Sequence, residues 1–389
     1  MTREELFEAV GQAPDDDLAH SDGRGRRSPW MGAAALACAA ALALAFLPKG
    51  EPVSPGTPDP LPLLPNVGPT AGAGGSYALM AYDLSELYPD SPGRDVDVPE
   101  TLPVWDHPTH TSSGTPWGLA EGEMAARMEK AAQALGVKIV DVEEERAGVY
   151  GDPDVPEGTL VRLEGQTDGG LTVTSCGNGT IEVIFAPSVA LPEGYSFTFS
   201  DTGPDQAGET LAYLAERYAA LLDFEEPRAA VSVDYTFDGR PITWYSLYDA
   251  AGDVAEDLVN YSLRTASFSP DSDGGLWIIR IHDETLVGEK LGDYPLRTEE
   301  EARRALLSGD YHSMEPEPFP GEEALRGVEL IYSNGADDPV WMPYYRFWVE
   351  IAPLTEGLPQ GLKTYASYYV PAVRPEYLTD VDTQMGNNG

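Results

Sequence analysis

Apolar positions recur along the chain at two spacings, and each spacing marks a different kind of element. Met124, Met128, Ala131 and Leu135 follow one another at three or four residues, which predicts an amphipathic helix stopped by Gly136. Leu211, Leu214, Tyr218, Leu221 and Leu222 predict another, and a short helix is expected near Val254–Val259. Thr298 and Glu301 form the capping box of a last helix, closed by Gly309. Elsewhere the period falls to two. LTVTSC and TIEVIF flank Gly177-Asn178-Gly179, AVSVDYTF and RPITWYSLY flank Asp238-Gly239, and SLRTASF and LWIIRIH flank Ser272–Gly275, which predicts three hairpins. A two-residue turn at Asp238-Gly239 pairs Tyr235 with Ile242 and Val233 with Trp244, so that their apolar faces coincide. Pro241 puts its strand at an edge or at the strand's own start.

Three further strands, VELIY, YYRFWVEI and TYASYYV, end the pattern. In the middle one Tyr345, Phe347, Val349 and Ile351 share a face, and Arg346 and Glu350 punctuate the other. That alternation suits a sheet with one face under a helix and the other partly wet. The fold class expected is α+β, with two or three helix-on-antiparallel-sheet units outside a single N-terminal transmembrane helix.

The transmembrane expectation rests on Trp30–Leu47, 18 consecutive residues without a charge. As a helix this stretch is about 27 Å long, close to the hydrocarbon thickness of a bilayer. Arg24, Arg26 and Arg27 precede it and Pro48 ends it, so the positive-inside rule leaves residues 1–29 in the cytoplasm and sends 48–389 across. The long leader favours a signal-anchor, while Ala43-Leu44-Ala45 keeps a cleaved signal open. Cys38 reads as a small apolar membrane residue. The localisation expected is the cell membrane, single-pass, with the bulk extracytoplasmic. Eight prolines between residues 48 and 70 predict an extended spacer. The organisation is then a leader (1–29), a transmembrane helix (30–47), a spacer (48–75) and α+β units at 76–205, 206–290 and 291–389. The first unit contains a long loop at Pro89–Gly118.

Charge narrows the choice of partner. With 24 Lys+Arg against 65 Asp+Glu, the 389 residues carry a formal net charge of −41, which disfavours nucleic acid and anionic lipid. Seven Trp, 20 Tyr and 10 Phe are too many for a chain disordered throughout, and two cysteines exclude a disulfide scaffold.

YPLRTEEEARRALLSGDY, GVELIY, YYRFWVEI and TYASYYVPAV together resemble the PepSY-like units of extracytoplasmic regulators, including the YycI/YycH type. There a helix with an acidic first turn packs on strands ending in an aromatic pattern. The resemblance covers residues 294–373 and implies a protein-interaction or peptidase-modulating role outside the membrane, with no catalytic residue. The leader MTREELFEAVGQAPDDDLAH resembles those of membrane-anchored, anti-sigma-like regulators, without the His/Cys zinc pattern that some of them carry.

Chemistry is sparse. Asp106-His107-Pro108-Thr109-His110 is the one local histidine cluster, and its proline-rich setting reads as a solvated loop rather than a metal site. Asp271-Ser272-Asp273-Gly274 resembles the start of a calcium loop, but Arg280 stands where the bidentate Glu should be, which leaves a hairpin turn. Glu225-Glu226 and Asp337-Asp338 read as solvated carboxylates. No G-x-S-x-G, S-x-x-K or phosphate-binding glycine pattern is present, and Cys176 reads as a buried strand residue. No catalytic residue, metal or cofactor is therefore expected. The candidate binding face is aromatic: Trp341, Tyr344 and Trp348. The function expected is a non-enzymatic, membrane-anchored extracytoplasmic binding or regulatory protein with a protein or peptide partner. Two alternatives stay open: an anti-sigma-like transmembrane signalling protein, and an exported hydrolase whose groups meet only in the fold.

Overall fold

The computed structural model describes residues 60–69, 78–88, 90–107, 118–148, 155–315, 318–333, 335, 338–353 and 357–379. In chain order the first strands are β1 (Leu64–Pro65), β2 (Leu79–Ala81), β3 (Thr101–Asp106), β4 (Ile139–Arg146), β5 (Leu160–Thr167) and β6 (Leu171–Cys176). Next come β7 (Ile181–Val189), β8 (Pro227–Tyr235), β9 (Pro241–Asp249), β10 (Arg264–Pro270), β11 (Leu276–Asp283) and β12 (Glu289–Pro295). The last are β13 (His312–Ser313), β14 (Leu325–Tyr332), β15 (Val340–Trp341), β16 (Pro343–Ile351), β17 (Lys363–Pro371) and β18 (Leu378–Thr379). The helices are α1 (Glu121–Ala134), α2 (Pro204–Arg217), α3 (Ala219–Leu222), α4 (Val254–Leu263) and α5 (Glu299–Ser308).

Antiparallel sheet dominates, which corrects the expected series of helix-on-sheet units. One sheet of eight strands runs in the order β4-β5-β6-β7-β11-β10-β9-β8. Its hairpins are local, but the pairing of β7 with β11 joins segments some ninety residues apart, and a reading of local pattern has no access to it. Strands from the expected units 76–205 and 206–290 thus share one sheet. The α1 and α2 helices lie on one face of it, α1 over β5 and β6 and α2 over β8 and β9. They bury Met124, Met128, Leu211 and Leu214 against Val173, Val183, Leu247 and Phe268. Among the described residues no helix is long and apolar enough to cross a membrane, so the transmembrane, single-pass expectation has no counterpart there. Residues 1–29 and 30–47, which carried that expectation, lie outside the described residues.

Four hairpins of the large sheet share one turn. Asp168-Gly169-Gly170, Gly177-Asn178-Gly179, Phe237-Asp238-Gly239 and Ser272-Asp273-Gly274 are three-residue loops, each ending in a glycine at positive φ. The left-handed third residue supplies the bulge that lets such a loop match the twist of its strands. At Gly239 (φ 80°) this corrects the expected two-residue turn: Tyr235 pairs with Pro241, Val233 with Thr243 and Ser232 with Trp244. A slip of one residue exchanges the two faces of a strand. Trp244 therefore leaves the helix-covered face and stands on the opposite one.

The C-terminal half holds a five-stranded sheet in which β17 pairs with β16, β13 and β2, and β16 with β14. A three-stranded sheet, β12-β3-β15, packs into the same core. The α5 helix begins with the expected capping box, Thr298 accepting from the Glu301 amide and Glu301 from the Thr298 amide, and ends at Gly309 (φ 87°). Instead of one wet face, the β14–β16–β17 sheet is covered on both. Residues 79–88 close the side of Trp348 and Tyr365. Residues 61–69 of the expected spacer are also docked: Leu64 is buried, β1 pairs in parallel with β18, and the Pro62 carbonyl accepts from the Tyr294 hydroxyl.

A buried ion pair ties this half together. Arg346 of β16 and Glu329 of β14 face each other across the sheet, with side chains only 3% and 1% exposed and nitrogen to oxygen at 2.9 Å. Tyr88 lies over the guanidinium at 4.0 Å, Trp348 at 4.7 Å, and the Trp348 indole donates to the same Glu329 oxygen at 2.5 Å. Burial is the largest single influence on Arg346 and opposes its charge, but Glu329 together with Tyr88, Tyr369 and Tyr261 holds the guanidinium above its usual range. Removing one partner leaves the other charge dry and unmatched, which typically costs about 3–5 kcal/mol. Glu329→Gln and Arg346→Met are each expected to lose about that much in urea unfolding, and the double variant less than the sum. Strict additivity in that cycle would show that the pair is uncoupled.

Candidate functional site

The face of the large sheet opposite α1 and α2 is built from small polar side chains between β8 and β11. Ala230 pairs with Ser246, Ser246 with Ser267, Ser267 with Arg280 and Thr265 with His282. Sheets pack about 10 Å apart when their facing side chains interdigitate. Serine and alanine are too short to fill that space, and a cleft of about 770 Å3 remains. Its opposite wall is Ile331 and Tyr332 of β14, Arg346 of β16, and Leu87 and Tyr88. The α4 helix contributes Tyr261. This is within the size range of small-molecule and side-chain pockets. Three other hollows, near His312, Arg127 and Asp271, are smaller.

Trp244 marks one end of the cleft. It is 53% exposed, and Phe199, also exposed, meets it edge-on at 6.2 Å. Asp234 lines the cleft and accepts from the amides of Met80 (3.0 Å) and Tyr235 (2.7 Å); burial nonetheless raises its carboxyl above the usual range. His282 hydrogen-bonds through Nδ1 with the Thr180 hydroxyl at 3.1 Å, and burial, with Arg280 nearby, lowers its pKa and favours the neutral ring. Glu284 opens the short 3-10 turn Glu284–Leu286, where its half-buried side chain has no hydrogen-bond or ion-pair partner among the described residues. Burial, and then the charge of Asp283, push it up to about 7.

This arrangement can hold a ligand, but among the described residues it presents no assembled catalytic set. The His282 ring is engaged by Thr180 rather than by a serine of the cleft. Among the described residues no group of three or more His, Cys, Asp or Glu could hold a metal ion.

The sequence-derived binding face is corrected by burial. Trp341, Tyr344 and Trp348 are only 1%, 1% and 2% exposed and belong to the core. Trp341 packs edge-on against the His107 ring at 4.9 Å, and the Tyr344 hydroxyl donates to the Val67 carbonyl at 2.9 Å. Trp348 lies against Tyr88 at 4.4 Å. Asp338 is buried rather than solvated and accepts from the Gly335 amide and the Ser333 hydroxyl, while Asp337 lies outside the described residues. His107 is likewise buried, not in a solvated loop, and His110 lies outside the described residues. Asp271 does what a hairpin turn requires, accepting from the amides of Asp273 (2.9 Å) and Gly275 (2.7 Å). The cleft residues Trp244, Glu284 and Arg346 were not singled out as a site. The available signal was the serine and threonine at alternate positions of three neighbouring strands.

Comparison of the chain with protein-family models, with curated proteins and with solved structures gives no match.

The raised Glu284 pKa makes stability depend on pH with a definite sign. At low pH the residue is protonated in both states. As pH rises from about 4.5 toward 7, the unfolded chain releases this proton first, so stability is lost across that window. Glu284→Gln removes the loss and is expected to gain roughly 1–3 kcal/mol on wild type between pH 5 and pH 8. Urea unfolding of both proteins at the two pH values checks this, and a constant difference between them would contradict a desolvated carboxylate here.

Proposed function

We propose that the protein is a non-enzymatic binding module that receives an extended peptide segment, free or part of a partner protein, in the cleft behind Trp244. The observation that carries this reading is the combination of a preformed cleft, a floor of small polar side chains and an exposed Trp244–Phe199 lip. A half-exposed tryptophan at the mouth of a cleft leaves apolar surface in water that a ligand can cover, and tryptophan is enriched among residues that dominate binding energy. The serine and threonine floor offers hydrogen bonds to a backbone without demanding particular side chains. A net charge of −41 supports a partner that is neutral or basic and disfavours nucleic acid. The PepSY-like pattern of residues 294–373 supports a protein-contact role as well.

One observation favours hydrolysis as a second reading: Glu284, pushed to about 7, has the protonation behaviour of a general acid or base. The neighbouring carboxylate, Asp283, is engaged by Arg264 at 3.3 Å and by the Thr285 hydroxyl at 2.6 Å, and no nucleophile is hydrogen-bonded to Glu284 among the described residues, so binding is the stronger reading.

The test is selection from a random peptide library, followed by calorimetry of the enriched peptides on the full chain. Trp244→Ala, which removes an exposed side chain, is expected to weaken them at least about ten-fold while leaving the unfolding midpoint near that of wild type. Ser246→Trp is expected to block them by filling the floor. Peptides that bind both variants as tightly as wild type, or a library that yields no binder, would overturn the reading.

A further inference from the structure

Among the described residues, the charges around the cleft are matched with one exception. Arg346 is neutralised by Glu329 at 2.9 Å, Arg264 by Asp283 at 3.3 Å and Arg280 by Glu182 at 2.5 Å. Asp234 is held by two backbone amides. Glu284 faces the same space and has no cation and no hydrogen-bond donor among the described residues. A carboxylate without a partner in a half-dry hollow is costly, and a cation brought in by a ligand removes that cost.

Strand register places this charge relative to Trp244. Ser246 of β9 is level with Ser267 of β10, and Ser267 with Arg280 of β11. Trp244 stands two residues before that level and Glu284 four residues after it, two strands across. At about 3.3 Å per residue and 4.8 Å per strand the two lie roughly 20 Å apart, the span of about six residues of extended chain.

We infer that the cleft selects an extended segment in which a basic side chain, held at Glu284, stands about five or six residues from an apolar side chain, held at Trp244. The inference rests on the binding reading above and names the chemistry of its ligand. Arginine or lysine supplies the donors that Glu284 lacks, the serines and threonine beneath the segment meet its backbone, and the Trp244–Phe199 lip covers the apolar end.

The experiment uses the full chain and a blocked seven-residue peptide of serine and threonine, with arginine first and phenylalanine sixth. Companion peptides replace the arginine by citrulline, which keeps the shape and loses the charge, or move it to the fourth position. On wild type the arginine peptide is expected to bind at least about ten-fold more tightly than either companion, the scale of one charge-assisted hydrogen bond. On Glu284→Gln the arginine and citrulline peptides are expected to bind alike, and Trp244→Ala should weaken both to the same degree. Equal binding of arginine and citrulline peptides to wild type, with both still sensitive to Trp244→Ala, would overturn the cationic anchor and leave the binding reading standing. An arginine preference that persists in Glu284→Gln would overturn the assignment to Glu284. Absence of binding by all three peptides at millimolar concentration would overturn both.

Discussion

The Arg346–Glu329 pair is the constraint around which the C-terminal half is arranged. Two opposite charges taken out of water must satisfy each other closely, because neither can recover its hydration elsewhere. Here they sit on adjacent strands, so the register of β14 against β16 is tied to the ion pair as well as to backbone hydrogen bonds. Tyr88 and Trp348 close over the guanidinium and bring residues 79–88 onto the sheet. The same packing puts Arg346 in the wall of the cleft with its charge already matched. A structural device thus sets the electrostatics of the candidate site. With the arginine neutralised and Asp234 held by two backbone amides, Glu284 is the unmatched group of the cleft among the described residues.

The cleft follows from a difference between the two faces of the large sheet. On one, Val173, Val183, Leu247 and Phe268 pack with α1 and α2 into one apolar core. On the other, Ala230, Ser246, Ser267 and Thr265 present side chains too small to reach the facing strands. Burying a serine hydroxyl without a partner is unfavourable, so such a surface is better matched to water or to a ligand backbone than to a closed interface. Its shape comes from the length of these side chains and its chemistry from the few larger groups at its ends.

Trp244 shows how narrow the margin is between reading a strand and reading a site. A turn of two residues at Asp238-Gly239 points its side chain into the helix-covered core. A turn of three, with Gly239 in the left-handed region, points it at the cleft. The alternation along β9 is equally clear in both registers, so the hydrophobic pattern does not decide between them. Trp341, Tyr344 and Trp348 illustrate the reverse case. Clustered aromatic residues look the same in sequence whether they form an exposed platform or a core, and burial is a property of what packs on them. Residues 61–69, 79–88 and 101–107, far away in the chain, do that packing.

The chain alone determined its local elements. The helix faces of Met124–Leu135 and Leu211–Leu222, the capping box at Thr298, the hairpins and the three C-terminal strands depend on neighbours a few residues apart, whose spacing is written in the sequence. It also determined a strongly acidic molecule without catalytic motifs. The joining of β7 to β11, the face to which Trp244 belongs, the burial of the aromatic strand and the meeting of Glu284 with Arg346 around one cleft were decided only by tertiary structure. Each depends on contacts between segments tens to hundreds of residues apart, and the free energy of such contacts is set by shape and desolvation at the interface, which no local period encodes.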